Sequence, residues 1–128
     1  MSVGEENIQN LLLANNIPFK GQFGVTIDKK FYRYDFAILD TNNNPIRLIE
    51  FDGIQHFDTE HLHWGKNNST IQERDAIKNQ YALSHNIALV RIPYTQRDKI
   101  TLDMLLGTEY LVKVDAEAPD MEEAQETQ

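Results

Sequence analysis

Cysteine is absent from the 128 residues, which excludes disulfide frameworks, thiolate metal sites and cysteine nucleophiles. Any metal ligand must therefore be an oxygen or an imidazole. No apolar run approaches the roughly 20 residues needed to cross a bilayer. The start, Met1 to Glu6 (MSVGEE), lacks the basic region followed by an apolar one that marks a secretory signal. These absences predict a soluble, cytoplasmic protein with no membrane partner. The length suits one compact domain.

Positive charge is also short, with 12 basic against 20 acidic residues and a net charge of −8, which on its face argues against binding a polyanion. The shortfall is local. Residues 115–128 (DAEAPDMEEAQETQ) hold six acids and no base, so residues 1–114 carry 12 basic against 14 acidic residues, a net of −2. The segment has no apolar periodicity and contains Pro119, so ordering it would bring too little burial to offset the lost entropy. The expected organisation is a domain over 1–114 and a disordered acidic tail over 115–128.

Within the domain, Ile8, Leu11 and Leu12 predict an amphipathic helix over Gly4–Asn15, broken before Pro18. Residues 19–27 read as a strand, and 31–39 (FYRYDFAIL) and 46–52 (IRLIEFD) form a second and third around the turn-rich DTNNNP. Ser69 to Glu73 offers a capping box for a helix reaching about His85. The run 87–92 (IALVRI) before Pro93 looks like an interior strand. One or two helical turns are expected between Ile100 and Val112. The order predicts a mixed α/β fold.

Three acids stand out because they interrupt otherwise apolar strands: Asp35 in RYDFAIL, and Glu50 and Asp52 in LIEFDG. Alternation puts Glu50 and Asp52 on one face. With the hairpin turn centred between Asn42 and Asn43, Asp35 lies opposite Glu50 and Ala37 opposite Leu48, or a shifted register brings Asp35 opposite Asp52. Facing carboxylates repel unless protons or cations intervene. A hard divalent metal is one resolution, with Mg2+ or Mn2+ on Asp35, Glu50 and Asp52. The other is that the acids pair with Arg33, Arg47 or Lys78.

Gly53 would let the chain turn and aim His56 back at the acids as a general acid or base. His61 and His63 make either an incomplete zinc pair or a surface loop that touches substrate through Trp64. On the second helix Gln72, Asp75 and Lys78 recur on one face, either as a solvated ion pair or with Lys78 countering phosphate charge. Lys29, Lys30, Arg33 and Arg74 are the candidate cations for a nucleic-acid backbone.

The run LIEFDGIQHF, preceded by RYDFAI and followed by QERDAIKNQYALSHNIALVRIPY, resembles the PD-(D/E)XK nuclease superfamily, in particular its phage and bacterial branch similar to very-short-patch repair endonucleases. The resemblance covers about residues 4 to 100. It implies a restriction-endonuclease-like mixed sheet core flanked by helices, dependence on magnesium or manganese, and hydrolysis of DNA phosphodiesters. By the same resemblance Asp35 is the principal metal aspartate and Glu5 the acid of the first helix, with Gln55, Asp75 and Lys78 in support. Where the superfamily name leads one to expect lysine after the glutamate, this chain has Asp52, so His56 or Lys78 would take the lysine's role.

The expected activity is thus a Mg2+- or Mn2+-dependent endodeoxyribonuclease with Asp35, Glu50, Asp52, His56 and Lys78 catalytic, nicking or cutting both strands, alone, as a homodimer or in a larger assembly. The alternative is an inactive nuclease-like protein that binds protein or nucleic acid. On charge alone, deleting residues 115–128 is expected to leave folding intact and tighten DNA association at low salt; a gel-shift titration showing unchanged or weaker association would count against an inhibitory tail.

Overall fold

The computed structural model describes residues 1–53 and 65–113, with side chains throughout these except at 65–69. Helix α1 spans Val3–Ala14 and opens on a reciprocal cap: the Ser2 hydroxyl accepts the Glu5 N–H, and the Glu5 carboxylate accepts the Ser2 N–H at 2.9 Å. The expected apolar stripe is realised, since Ile8 and Leu12 are completely buried. Asn15 closes the helix and Asn16, at φ 56°, reverses the chain.

Strand β1 (Phe19–Ile27) and strand β2 (Lys30–Leu39) form an antiparallel hairpin. Asp28 and Lys29 both lie at positive φ, 50° and 69°, as a two-residue turn matched to the strand twist requires. Strand β3 (Pro45–Asp52) follows a loop in which Asp40 Oδ1 accepts the N–H groups of Asn42 and Asn44 at 2.8 and 2.9 Å. The β2–β3 register is the unshifted one, Ala37 opposite Leu48 and Phe36 opposite Ile49, with an irregularity after Ile38.

Helix α2 (Gly65–Ser84) carries the chain from β3 to the parallel strand β4 (Ala88–Pro93), the crossover that parallel pairing demands. Two expectations need correction here. Ser69 and Thr70 lie inside α2 rather than at its cap, because residues able to cap are also tolerated within a helix and the earlier turn extends it. Among the described residues strand β4 is the end of the order β1-β2-β3-β4, not an interior strand. Its apolar character comes instead from cover along its outer edge, where Arg91 N–H donates to Tyr110 and Val112 N–H donates to Leu89. Helix α3 (Leu102–Leu106) precedes that covering segment.

Among the described residues the architecture is a mixed four-stranded sheet flanked by three helices. Alternation along β3 divides the core. Ile49 joins Ile8, Leu12, Phe36, Ile38, Val90, Ile92 and Leu105 in one cluster, whereas Leu48 joins Tyr34, Ala37, Ala82 and Leu89 in the other. Each wholly buried leucine or isoleucine contributes on the order of 2 kcal/mol. Among the described residues no helix is long and apolar enough to cross a membrane.

Candidate functional site

The face of β3 that carries Leu48 continues to Glu50 and Asp52, and both carboxylates are almost fully enclosed, at 6% and 5% exposure. Charges so placed must be neutralised or compensated. Two cations do this. Lys78 on α2 meets Glu50 Oε2 with its Nζ at 2.5 Å, and that oxygen has no other partner among the described residues. Arg91, alongside Glu50 on β4, donates from Nη1 to Asp52 Oδ1 at 2.9 Å. Its Nε donates to Asn79 Oδ1 at 2.9 Å and its Nη2 lies 3.6 Å from Asp75 Oδ1. The guanidinium thus bridges β3 to α2.

Lys78 is held on both sides. Its backbone carbonyl accepts the Tyr34 hydroxyl at 2.8 Å, and its Nζ stands 5.1 Å from the centre of the Tyr34 ring. Burial, then the charge of Glu50, raises the Tyr34 hydroxyl above its usual range, so it stays a donor. Burial also raises the Glu50 carboxyl, against the opposing pull of Lys78 and Arg91.

Asp35 does not join them as a third anion. The β2–β3 pairing runs out at Phe36 opposite Ile49, and the Asp35 side chain accepts the Phe51 N–H with Oδ2 at 2.7 Å. It also shares a hydrogen bond with Glu5 of α1. Burial first, then the charge of Glu50 and the Glu5 contact, push the Asp35 carboxyl up to about 8. Against its own burial, the bonds to Asp35 and Ser2 hold Glu5 below the normal carboxylate value. Two carboxyls sharing one proton account for both directions.

The resolution is therefore by protons and side-chain cations. Among the described residues no group of three or more His, Asp and Glu side chains is arranged to hold a metal ion. This corrects the expected Mg2+ or Mn2+ site on Asp35, Glu50 and Asp52, and with it the metal-dependent endodeoxyribonuclease built on that site. The physical reason is competition: Lys78 and Arg91 already compensate Glu50 and Asp52, and Asp35 keeps a proton that it shares with Glu5. Gln55, His56, His61, His63 and Trp64 lie outside the described residues, as does the acidic tail.

Of the other predicted residues, Glu5, Asp35, Glu50, Asp52, Asp75 and Lys78 gather around the sheet. Lys29, Lys30, Arg33 and Arg74 lie apart, around the β1–β2 hairpin, where Arg74 Nη2 donates to the Phe31 carbonyl at 3.0 Å and its guanidinium stacks 4.3 Å from the Tyr32 ring centre. The proposed pairing of acids with Lys78 is realised; Arg47 instead donates to the carbonyls of Leu105 and Gly107. Arg91 and Asn79 are the partners that spacing did not assign. The signal for Arg91 is a single charge within the apolar IALVRIP; Asn79, on α2, has none. Comparison with protein-family models, with curated proteins and with solved structures finds no match.

Removing one side of the buried pair should be costly. Lys78→Met is expected to destabilise the protein by about 3 kcal/mol in urea denaturation, because Glu50 is left enclosed without compensation, and adding Glu50→Gln should recover most of the loss. A double variant as unstable as the single one would sink this account.

The shared proton makes a second prediction. A carboxyl raised in the folded chain keeps a proton that the unfolded chain has released. Asp35 therefore lowers stability progressively as pH rises from 3.8, its ordinary value, to about 8. Glu50 acts with the same sign. Glu5 acts oppositely, giving stability above 4.5 that is lost as pH falls through its lowered folded value. Denaturation midpoints should fall between about pH 5 and about pH 8, and Asp35→Asn should flatten most of that slope; equal slopes in both proteins would refute the protonated assignment.

Proposed function

We propose that this chain is a nuclease-like scaffold of the PD-(D/E)XK kind that binds nucleic acid and does not cut it. Supporting the scaffold reading, Glu5, Asp35, Glu50 and Lys78 come together from α1, β2, β3 and α2, the elements on which the sequence resemblance expects them. Supporting binding over hydrolysis, the acids are compensated from within by Lys78 and Arg91.

The observation that carries a nucleic-acid partner is the division of the cations. The buried pair is committed to the carboxylates. Lys29, Lys30 and Arg33 are exposed on one hairpin and make no ion pair among the described residues. Lys29 occupies its turn at φ 69°, where glycine or asparagine is preferred and a lysine costs on the order of 1 kcal/mol. A lysine at this strained, exposed tip presents its charge directly to solvent. One acid, Asp28, adjoins it, so the tip and the start of β2 remain net positive. Phosphates are the complementary partner.

Pure protein mixed with supercoiled plasmid and Mg2+ or Mn2+ should leave the plasmid intact while retarding it in a salt-dependent manner. Lys29→Glu with Lys30→Glu should weaken the retardation and reduce its salt slope by about 2. Metal-dependent nicking that Asp35→Ala and Glu50→Ala abolish would overturn the proposal, as would a complete absence of binding at low salt.

A further inference from the structure

Phe31 is 59% exposed, unusual for a large aromatic on a short hairpin with a core available. Its placement is built rather than accidental. Phe31 sits opposite Thr26, and the next pair on the same face is Arg33 with Gly24. The ring lies across Gly24: a Cβ there would fall 2.5 Å from the Phe31 Cζ and 2.7 Å from a Cε. Only a residue without a side chain admits the ring in that position. The backbone beneath is fastened from the other side of the sheet, since Arg74 on α2 reaches over Tyr32 to the Phe31 carbonyl.

One cation stands at the ring and two more at the hairpin tip beside it. Arg33 places its guanidinium carbon 5.7 Å from the ring centre, and Lys30 and Lys29 precede Phe31 in the chain. A fixed, exposed aromatic with positive charge on its border is the arrangement that binds unpaired bases, which stack on the ring while their phosphates meet the cations. A duplex offers the same phosphates but keeps its bases stacked on each other. A protein partner with an acidic patch would use the cations and gain only general burial from Phe31.

Resting on the nucleic-acid reading above, we infer that the exposed end of the β1–β2 hairpin is a single-strand binding platform in which Phe31 stacks on an exposed base, Arg33 beside the ring holds one flanking phosphate, and Lys29 and Lys30 at the tip hold the next. Preference for single strands over duplex comes from the ring, and affinity common to both comes from the cations.

The test uses the full chain and fluorescence anisotropy with a labelled DNA of about 12 nucleotides, single-stranded and as duplex, at low and moderate salt. The single strand should bind several-fold more tightly. Phe31→Ala should weaken single-strand binding at least about fivefold and leave duplex binding unchanged. Phe31→Trp should preserve the preference and show indole quenching on binding. Lys29→Gln with Lys30→Gln should weaken both probes alike. If Phe31→Ala changes neither probe, or both equally, the platform is wrong while nucleic-acid binding through the cations stands. If the wild-type chain binds neither probe even at low salt, both readings fall together.

Discussion

Two carboxylates on one strand, buried beneath one helix, set the terms for this molecule. Glu50 and Asp52 cannot be ionised at their positions without compensation, and the compensation comes from elements distant in sequence: Lys78 on α2 and Arg91 on β4. The consequence is architectural as well as electrostatic. Helix α2 has a sparse apolar face, with only Ala82 fully buried among its described side chains, so hydrophobic contact alone would fix its position weakly. The Lys78–Glu50 pair, the Tyr34 hydroxyl bond and the Arg91 bridge to Asn79 and Asp75 fix it by direction.

Much of the fold was legible because alternation and helical spacing are local. The FYRYDFAIL and IRLIEFD runs, with Asp40 to Pro45 between them, pointed to a hairpin in one of two registers, and the structure adopts the one in which Ala37 faces Leu48. What local pattern could not convey was what lies beyond an edge. IALVRI reads as buried on both sides, and it is, but by a single bridge from Leu111 and its neighbouring backbone bonds rather than by a further strand. Likewise the start of α2 lay upstream of its best capping signal, because a cap-forming serine is no obstacle inside a helix that already has its first turn.

The candidate site divides in the same way. That Glu50 and Asp52 share a face follows from the period of a strand, and their need for compensation follows from their burial. Which compensation prevails depends on α2 and β4, whose approach no spacing argument specifies. Asp35 is the clearest instance. Register alone sets it opposite Glu50, yet pairing ends one residue short and the side chain turns to Phe51 and Glu5. A carboxyl beside two other acids lowers its energy either by gathering a cation or by keeping a proton, and α1 supplies the proton-sharing partner.

Internal compensation also explains why the surface chemistry lies elsewhere. A lysine and an arginine enclosed with carboxylates contribute almost nothing to the field outside, since each is cancelled within a few ångströms and neither can reach a phosphate without leaving an anion buried. Binding a polyanion therefore has to rely on cations that owe nothing to the core. Lys29, Lys30 and Arg33 meet that condition because the two-residue turn and the exposed start of β2 place them away from the buried acids. An exposed aromatic among them adds what charge lacks. Electrostatic attraction does not distinguish one polyanion from another of equal charge density, whereas a flat apolar ring held over Gly24 responds only to a partner that can present a face to it.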